Sequence, residues 1–163
     1  MIQTPNEKSP YGLIQERLRQ NPWQMLVATI LLNQTHIRQV APVFNEFVRR
    51  WPNPTVFMLV ATESQIVDLI KPCGFQNRRA RTLMKMTTAF SEGFENVLDL
   101  PGVGKYSADS YNIFIGGYLV LDVRDKELKR YVEWALGRHH DGAVRGGLQA
   151  IEGGPPAPSQ LST

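Results

Sequence analysis

From His36 to Trp51 the apolar residues Ile37, Val40, Ala41, Phe44, Phe47, Val48 and Trp51 recur at three- and four-residue spacing, which predicts a helix with one buried face. Pro42 is expected to kink its first turn. Ahead of it, Asn21-Pro22 reads as an N-cap followed by proline at the first helical position. Trp23 to Leu32 is then apolar on nearly every side, as a central helix buried all round would be. Thr62-Glu63-Ser64-Gln65 has the form of a capping box, leading a helix with Ile66, Val67, Leu69 and Ile70 that ends at Pro72 and Gly74. Another helix from near Asn77 is expected to bury Ala80, Leu83, Met84, Thr87 and Phe90.

Phe94 to Leu98 reads as a short helical lead into Leu100-Pro101-Gly102-Val103-Gly104, and a helix over Lys105 to Phe114 follows. Gly116-Gly117 breaks the pattern, and Tyr118 to Val123 has no helical period. Asp125 begins a last helix whose Leu128, Tyr131, Trp134 and Ala135 share a face, with Gly137 expected to end it. No segment alternates as a strand does, so the fold class is all-α. After Gly137 come five more glycines and three prolines with little apolar content. That composition predicts a disordered tail over 138–163 behind a single domain over 1–137.

Composition narrows the field without naming a function. A length of 163 residues suits one domain with a real core, and 42% apolar with 20% charged residues is ordinary for a globular protein. The longest apolar run, Met25 to Leu32, is too short to span a bilayer, and the polar stretch Met1 to Pro10 is neither a secretory signal nor an Arg-rich transit peptide. The expectation is an intracellular protein, in the nucleoid or nucleus according to host, with no membrane partner. The net charge of +3 is too small to announce a polyanion, but Arg78, Arg79, Arg81 and Lys85 lie between Asn77 and Ala89 with no acidic neighbour. They form either a patch for phosphates or a solvated helix face, and the two readings stand level. A single cysteine, Cys73, excludes a disulfide framework, a four-cysteine zinc site and a cysteine-ligated iron–sulfur cluster within this chain. His36, His139 and His140 have no metal-ligand spacing with nearby carboxylates or thiols.

The chemistry concentrates in two places. A Pro-Gly-Val-Gly hairpin opening a helix presents backbone N–H groups to a phosphate, since residues without a Cβ allow close approach and positive φ. The same hairpin serves non-catalytic DNA-binding modules. Asp125, at a predicted helix start where unpaired N–H groups favour an ionised carboxylate, suits opposing positive charge on a sugar or orienting water. A plain N-cap is the simpler role for it.

The pattern resembles the helix-hairpin-helix glycosylases, and within them the G:T and G:U mismatch glycosylases that include the catalytic domain of the methyl-CpG-binding thymine glycosylase. The likeness runs from about Ser9 to Leu136. It rests on Ser9-Pro10-Tyr11, Leu13-Ile14-Gln15-Glu16, Pro22-Trp23, Ala28-Thr29-Ile30, Leu32-Asn33-Gln34-Thr35, Leu69-Ile70-Lys71-Pro72, Gly104-Lys105-Tyr106, Asp109-Ser110-Tyr111 and Lys129-Arg130-Tyr131 with Trp134. The resemblance implies a two-lobed helical bundle that removes a base flipped out of duplex DNA. Asp125 then matches the catalytic aspartate, with Asp122 outside the Asp-x-x-Leu-x-Arg frame. Tyr106, counted with Asp125 among the catalytic candidates, stands where strand-cleaving relatives carry a Schiff-base lysine, which a phenol cannot replace. Lys105, one residue away, is turned about 100° from that position and is expected to face phosphate or solvent.

Gln15 and Tyr106 would line the base pocket, the Gln15 amide pairing with the carbonyl and imino N–H of uracil or thymine. Gln34 stands where close relatives use an arginine to fill the space of the flipped base, and Phe75 matches an apolar wedge beside it. Arg78, Arg79, Leu100, Gly102, Val103, Gly104 and Lys105 complete the expected DNA contacts. The implied activity is excision of thymine, uracil or a 5-substituted uracil, opposite guanine, leaving an abasic site for downstream processing enzymes. A monomer is expected, without cofactor, metal or iron–sulfur cluster beyond a monovalent cation on the hairpin carbonyls. The alternatives are a non-catalytic DNA-binding module and a mismatch adenine glycosylase, a branch that brings cluster cysteines this chain lacks.

Overall fold

The computed structural model describes the backbone of residues 1–151 and the side chains of residues 1–141. Its helices are α1 (Ile14–Arg17), α2 (Pro22–Leu32), α3 (Ile37–Arg50), α4 (Pro54–Val60), α5 (Glu63–Ile70), α6 (Gln76–Glu92), α7 (Lys105–Phe114) and α8 (Lys126–Ile151). Short 3-10 turns lie at Lys71–Cys73 and Val97–Asp99. Among the described residues there is no strand, only an isolated antiparallel bridge between Gln3 and Tyr118.

Helix α2 is the post of the fold, packing against α3, α6 and α7. Met25, Leu26, Val27, Ala28 and Leu31 are sealed from solvent, so α2 has no polar face to present. Burying each larger side chain there contributes about 1.5–3 kcal/mol. Trp23 anchors its first turn in a cluster with Phe47, Trp51 and Phe57, whose rings lie 5.0–6.0 Å apart. The indole N–H donates to Thr87 Oγ1 at 2.9 Å, tying α2 to α6 without leaving a buried donor unpaired. Thr62 and Gln65 form the expected reciprocal cap.

Several expectations need correction. Pro42 lies inside α3, in its second turn, and the helix runs on past it to Arg50. Helix α4 was not foreseen, although Asn53-Pro54 repeats the start signal of Asn21-Pro22 and Asn53 Oδ1 accepts from Val56 N at 2.9 Å. The lead into the hairpin is the single turn Val97–Asp99. On α6 the buried stripe holds Arg79, Ala80, Leu83, Met86 and Thr87, while Met84 and Phe90 are only partly covered. Helix α8 continues through Gly137 to Ile151. An internal glycine costs a helix about 1 kcal/mol relative to alanine. Neighbouring contacts offset that: Arg138 pairs with Glu7 at 3.4 Å and lies over the Trp134 ring, and His139 Nε2 is 2.6 Å from the Gln3 carbonyl. The last part of the expected 138–163 tail, from residue 152, lies outside the described residues.

The N-terminal segment is also tied to the connection that precedes this long helix. Thr4 N donates to the Gly117 carbonyl and Leu119 N to that of Ile2, each at 2.8 Å. Arg19 joins Pro5 O at 2.7 Å and Tyr131 Oη at 2.8 Å, linking the stretch after α1 to α8. These contacts hold the connection Gly116–Asp125 across from α1, with a cleft between them.

Candidate active site

A cleft of about 740 Å³ opens between α1, the α2–α3 turn, α7 and the start of α8. Gln15, Gln34, Tyr106 and Asp125 all line it, although they come from four separate parts of the chain.

Helix α1 is four residues long and could not hold its place alone. The Glu16 carboxylate fixes it by accepting from Ser9 N at 2.7 Å, Ser9 Oγ at 2.9 Å and Leu13 N at 3.1 Å. Gln15, next to it, is therefore buried in one orientation, with Nε2 donating to Tyr106 Oη at 2.9 Å and to Ser110 Oγ at 3.4 Å. Its Oε1 takes no hydrogen bond from the described residues, leaving an acceptor for a ligand in the cleft.

Tyr106 lies on the first turn of α7, and burial together with the nearby Asp125 carboxylate pushes its hydroxyl up to about 12. Tyr131, on the buried face of α8, is likewise pushed up to about 12 by burial. Both phenols ionise near 10 in an unfolded chain. Between these values the unfolded chain releases protons that the native one retains, so stability present below pH 10 is lost as pH rises toward 12. Urea midpoints should therefore fall between pH 9 and pH 11.5, and Tyr106→Phe should shrink that fall, since the variant has one fewer proton to lose.

Asp125 caps α8. Its Oδ1 accepts from Glu127 N and Leu128 N, both at 3.0 Å, which fixes the carboxylate at the helix end and leaves Oδ2 for other partners. The plain cap and the cleft-lining group are thus the same side chain. Asp122 points elsewhere, fully in solvent apart from its 3.3 Å pairing with Lys105. Lys105 Nζ also reaches Asp109 at 3.1 Å, so the lysine faces carboxylates on the side of α7 away from the cleft.

The hairpin turns as its sequence suggests, with Val103 N donating to Leu100 O at 3.1 Å and Gly102 at φ 77°. Proline before a positive-φ glycine fits a type II turn. A Cβ on Gly102 would stand 2.1 Å from Thr82 Cγ2, so glycine is needed there for space as well as for φ. Gly104 differs: at φ −100° it is the N-cap of α7, whose first-turn N–H groups have no side-chain cap. Leu100 and Val103 point into the core, which leaves Pro101 and the backbone of the two glycines for outside contacts.

A second recess of about 240 Å³ shares Gln34 with the cleft and adds Phe75, Arg78, Arg79 and Gly102. Gln34 and Phe75 are the non-glycine residues with positive φ among those described, at 60° and 50°. Both are exposed, Phe75 at 66%. Left-handed backbone in such residues costs on the order of 1–3 kcal/mol and persists only where surroundings enforce it. Arg78 is exposed beside them, but Arg79 is buried and its guanidinium is spent on protein groups. Arg79 therefore does not face outward as the basic patch suggested. Its place on the stripe with Leu83 and Met86, at helical spacing, was the overlooked signal.

A hairpin flanked by a short helical turn and α7, set beside a cleft with an acidic helix cap, defines an all-α helix-hairpin-helix protein. The chain belongs to the HhH-GPD superfamily of base excision DNA repair proteins, whose family model matches residues 27–154. It is 34% identical over 125 residues to a thymine-DNA glycosylase of Aeropyrum pernix, covering 72% of this chain and 55% of that one. An adenine DNA glycosylase of Mycobacterium tuberculosis is 31% identical over 134 residues, covering 76% and 42%. The solved structure of a thermostable thymine-DNA glycosylase superposes with a TM-score of 0.55 at 23% identity, over 69% of this chain and 52% of that chain, and shares its fold. This chain spans about half the length of these curated relatives. Among the described residues no helix is long and apolar enough to cross a membrane.

Proposed function

We propose that this chain is a monofunctional DNA glycosylase that removes thymine, uracil or a 5-substituted uracil from a pair with guanine. The observation that carries the reading is the convergence of Gln15, Tyr106 and Asp125 on one cleft with Gln34 at its rim. In it, the flipped pyrimidine lies against Tyr106 and Gln15, whose free Oε1 accepts from the imino N–H. The Asp125 carboxylate opposes the charge growing on the sugar as the bond from C1′ to the base nitrogen breaks. The bonding pair leaves with the base nitrogen, the water oxygen bonds to C1′, and the proton that this water gives up passes by way of the carboxylate to solvent, while the departing base anion takes up one proton from solvent. Gln34 fills the vacated stack and Phe75 wedges beside it. The uncapped N–H groups of α7 and the exposed Arg78 meet backbone phosphates.

Because position 106 is tyrosine, no amine stands there to form a Schiff base, and the DNA strand is left whole. The test uses duplexes carrying G:T, G:U and 5-hydroxymethyluracil opposite guanine, with adenine mismatches alongside. The expected result is base release on a pyrimidine substrate and strand scission only after alkali. Scission without alkali would remove the monofunctional claim, and release of adenine alone would favour the second reading that the adenine glycosylase similarity keeps open. No release from any duplex would leave a DNA-binding module.

A further inference from the structure

Arg79 connects the two strained turns. Its Nη1 donates to Thr35 Oγ1 at 2.9 Å and to the Cys73 carbonyl at 2.7 Å, and its Nη2 donates to the Asn33 carbonyl. The guanidinium carbon also lies 5.7 Å from the centre of the Phe75 ring. Asn33 and Thr35 flank Gln34 on either side, and Cys73 lies two residues before Phe75. Thr35 Oγ1 closes the circuit by donating to the Cys73 carbonyl at 3.1 Å. One side chain therefore grips both shoulders of the Gln34 turn and both the base and the tip of the Phe75 turn.

Two facts make this more than ordinary packing. Arg79 is 8% exposed, yet among the described residues no carboxylate pairs with it. A buried cation without a counter-ion is costly, and neutral carbonyls only partly compensate. The planar guanidinium also spreads its donors over separate nitrogens in a rigid fork, Nη1 serving Thr35 and Cys73 and Nη2 serving Asn33, whereas an ammonium would have to gather all three acceptors around a single atom. We infer that Arg79 is a positioning residue that locks the Gln34 and Phe75 turns into one rigid unit, so that plug and wedge enter the duplex together. The inference rests on the glycosylase reading for its consequence, but the locking itself is a property of the free protein.

The experiment has two arms. In the first, amide hydrogen exchange of the free protein compares the parent with Arg79→Met, Arg79→Lys and the milder Thr35→Val. Arg79→Met should speed exchange at both turns together, by tenfold or more around Gln34 and Phe75, while the α2 core stays protected. Loosening confined to one turn overturns the inference. Should Arg79→Met fail to fold, Thr35→Val carries this arm with the same expectation in smaller degree. In the second arm, single-turnover base release is measured on duplex and on single-stranded uracil DNA, where no stack has to be invaded. Arg79→Met should lose at least tenfold on duplex and little on the single strand, Arg79→Lys should restore only part, and the duplex loss should vanish in a Gln34→Ala, Phe75→Ala background. Equal losses on both substrates, or a full additional loss in that background, would mark Arg79 as merely structural. A parent inactive on every substrate would sink the glycosylase reading and leave the first arm to decide the locking.

Discussion

Replacing Asp125 with asparagine should leave α8 capped while lowering the single-turnover rate of base release by about 10²- to 10⁴-fold. The two halves of that expectation separate the capping role that the hydrogen bonds show from the catalytic role proposed for the residue. Asparagine ranks with aspartate as an N-cap, and its amide oxygen can still accept from Glu127 N and Leu128 N. What disappears is the negative charge. Its interaction with the helix end is worth about 0.3–1 kcal/mol, a shift of a few degrees at most in a domain of this size. In the proposed reaction, where a sugar beside it acquires positive charge, the same carboxylate would be worth several times more. Thermal unfolding and single-turnover kinetics on one preparation therefore distinguish a cap from a catalyst. A variant with an unchanged rate would reduce Asp125 to a helix terminator and leave base release without its assigned group.

Gly102→Ala should cost about 2–4 kcal/mol of stability, the sum of a left-handed backbone unsuited to alanine and a methyl forced against Thr82. The clash, with Thr82 Cγ2 2.1 Å from the new carbon, is relieved only if Thr82 leaves its rotamer or the hairpin lifts off α6. Thr82→Ala in the same chain removes that contact and should return roughly half of the loss, leaving the part due to φ. Chemical denaturation of the two single variants and the double variant closes the cycle. If the double variant is no more stable than Gly102→Ala, the φ requirement alone governs the position. Affinity for duplex DNA should drop in step with hairpin displacement, since Leu100 and Val103 fasten the turn to the core and leave Pro101 and the glycine backbone facing outward.

How far the sequence could be read depended on whether each signal was local. The capping box at Thr62, the proline start at Pro22 and the all-round apolar run of α2 are written in adjacent residues, and each appears as expected. Helix α4 escaped because only Phe57 of its apolar residues is buried, while Met58, Leu59 and Val60 are exposed, so no stripe marks it. Gly137 misled because the contacts that carry α8 past it come from Gln3 and Glu7, far away in sequence. Asp125 was marked by its place at a helix start, but Gln15, Gln34 and Tyr106 were named through resemblance, since nothing near Gln15 reveals that its amide meets Tyr106 ninety-one positions later. Charge clustering placed Arg78 and Arg79 together, whereas one step along a helix turns them by about 100°, enough to send one outward and the other into the core.

The left-handed backbone at Gln34 and Phe75 bears on how such a protein would respond to selection. Glycine or asparagine at either position would relieve strain and raise the melting temperature, and a screen that scores only heat resistance would collect those replacements early. If Gln34 and Phe75 enter the duplex as proposed, each replacement would also remove a side chain that the reaction uses. The two positions would then mark where a lineage selected for heat resistance and one selected for base release part company.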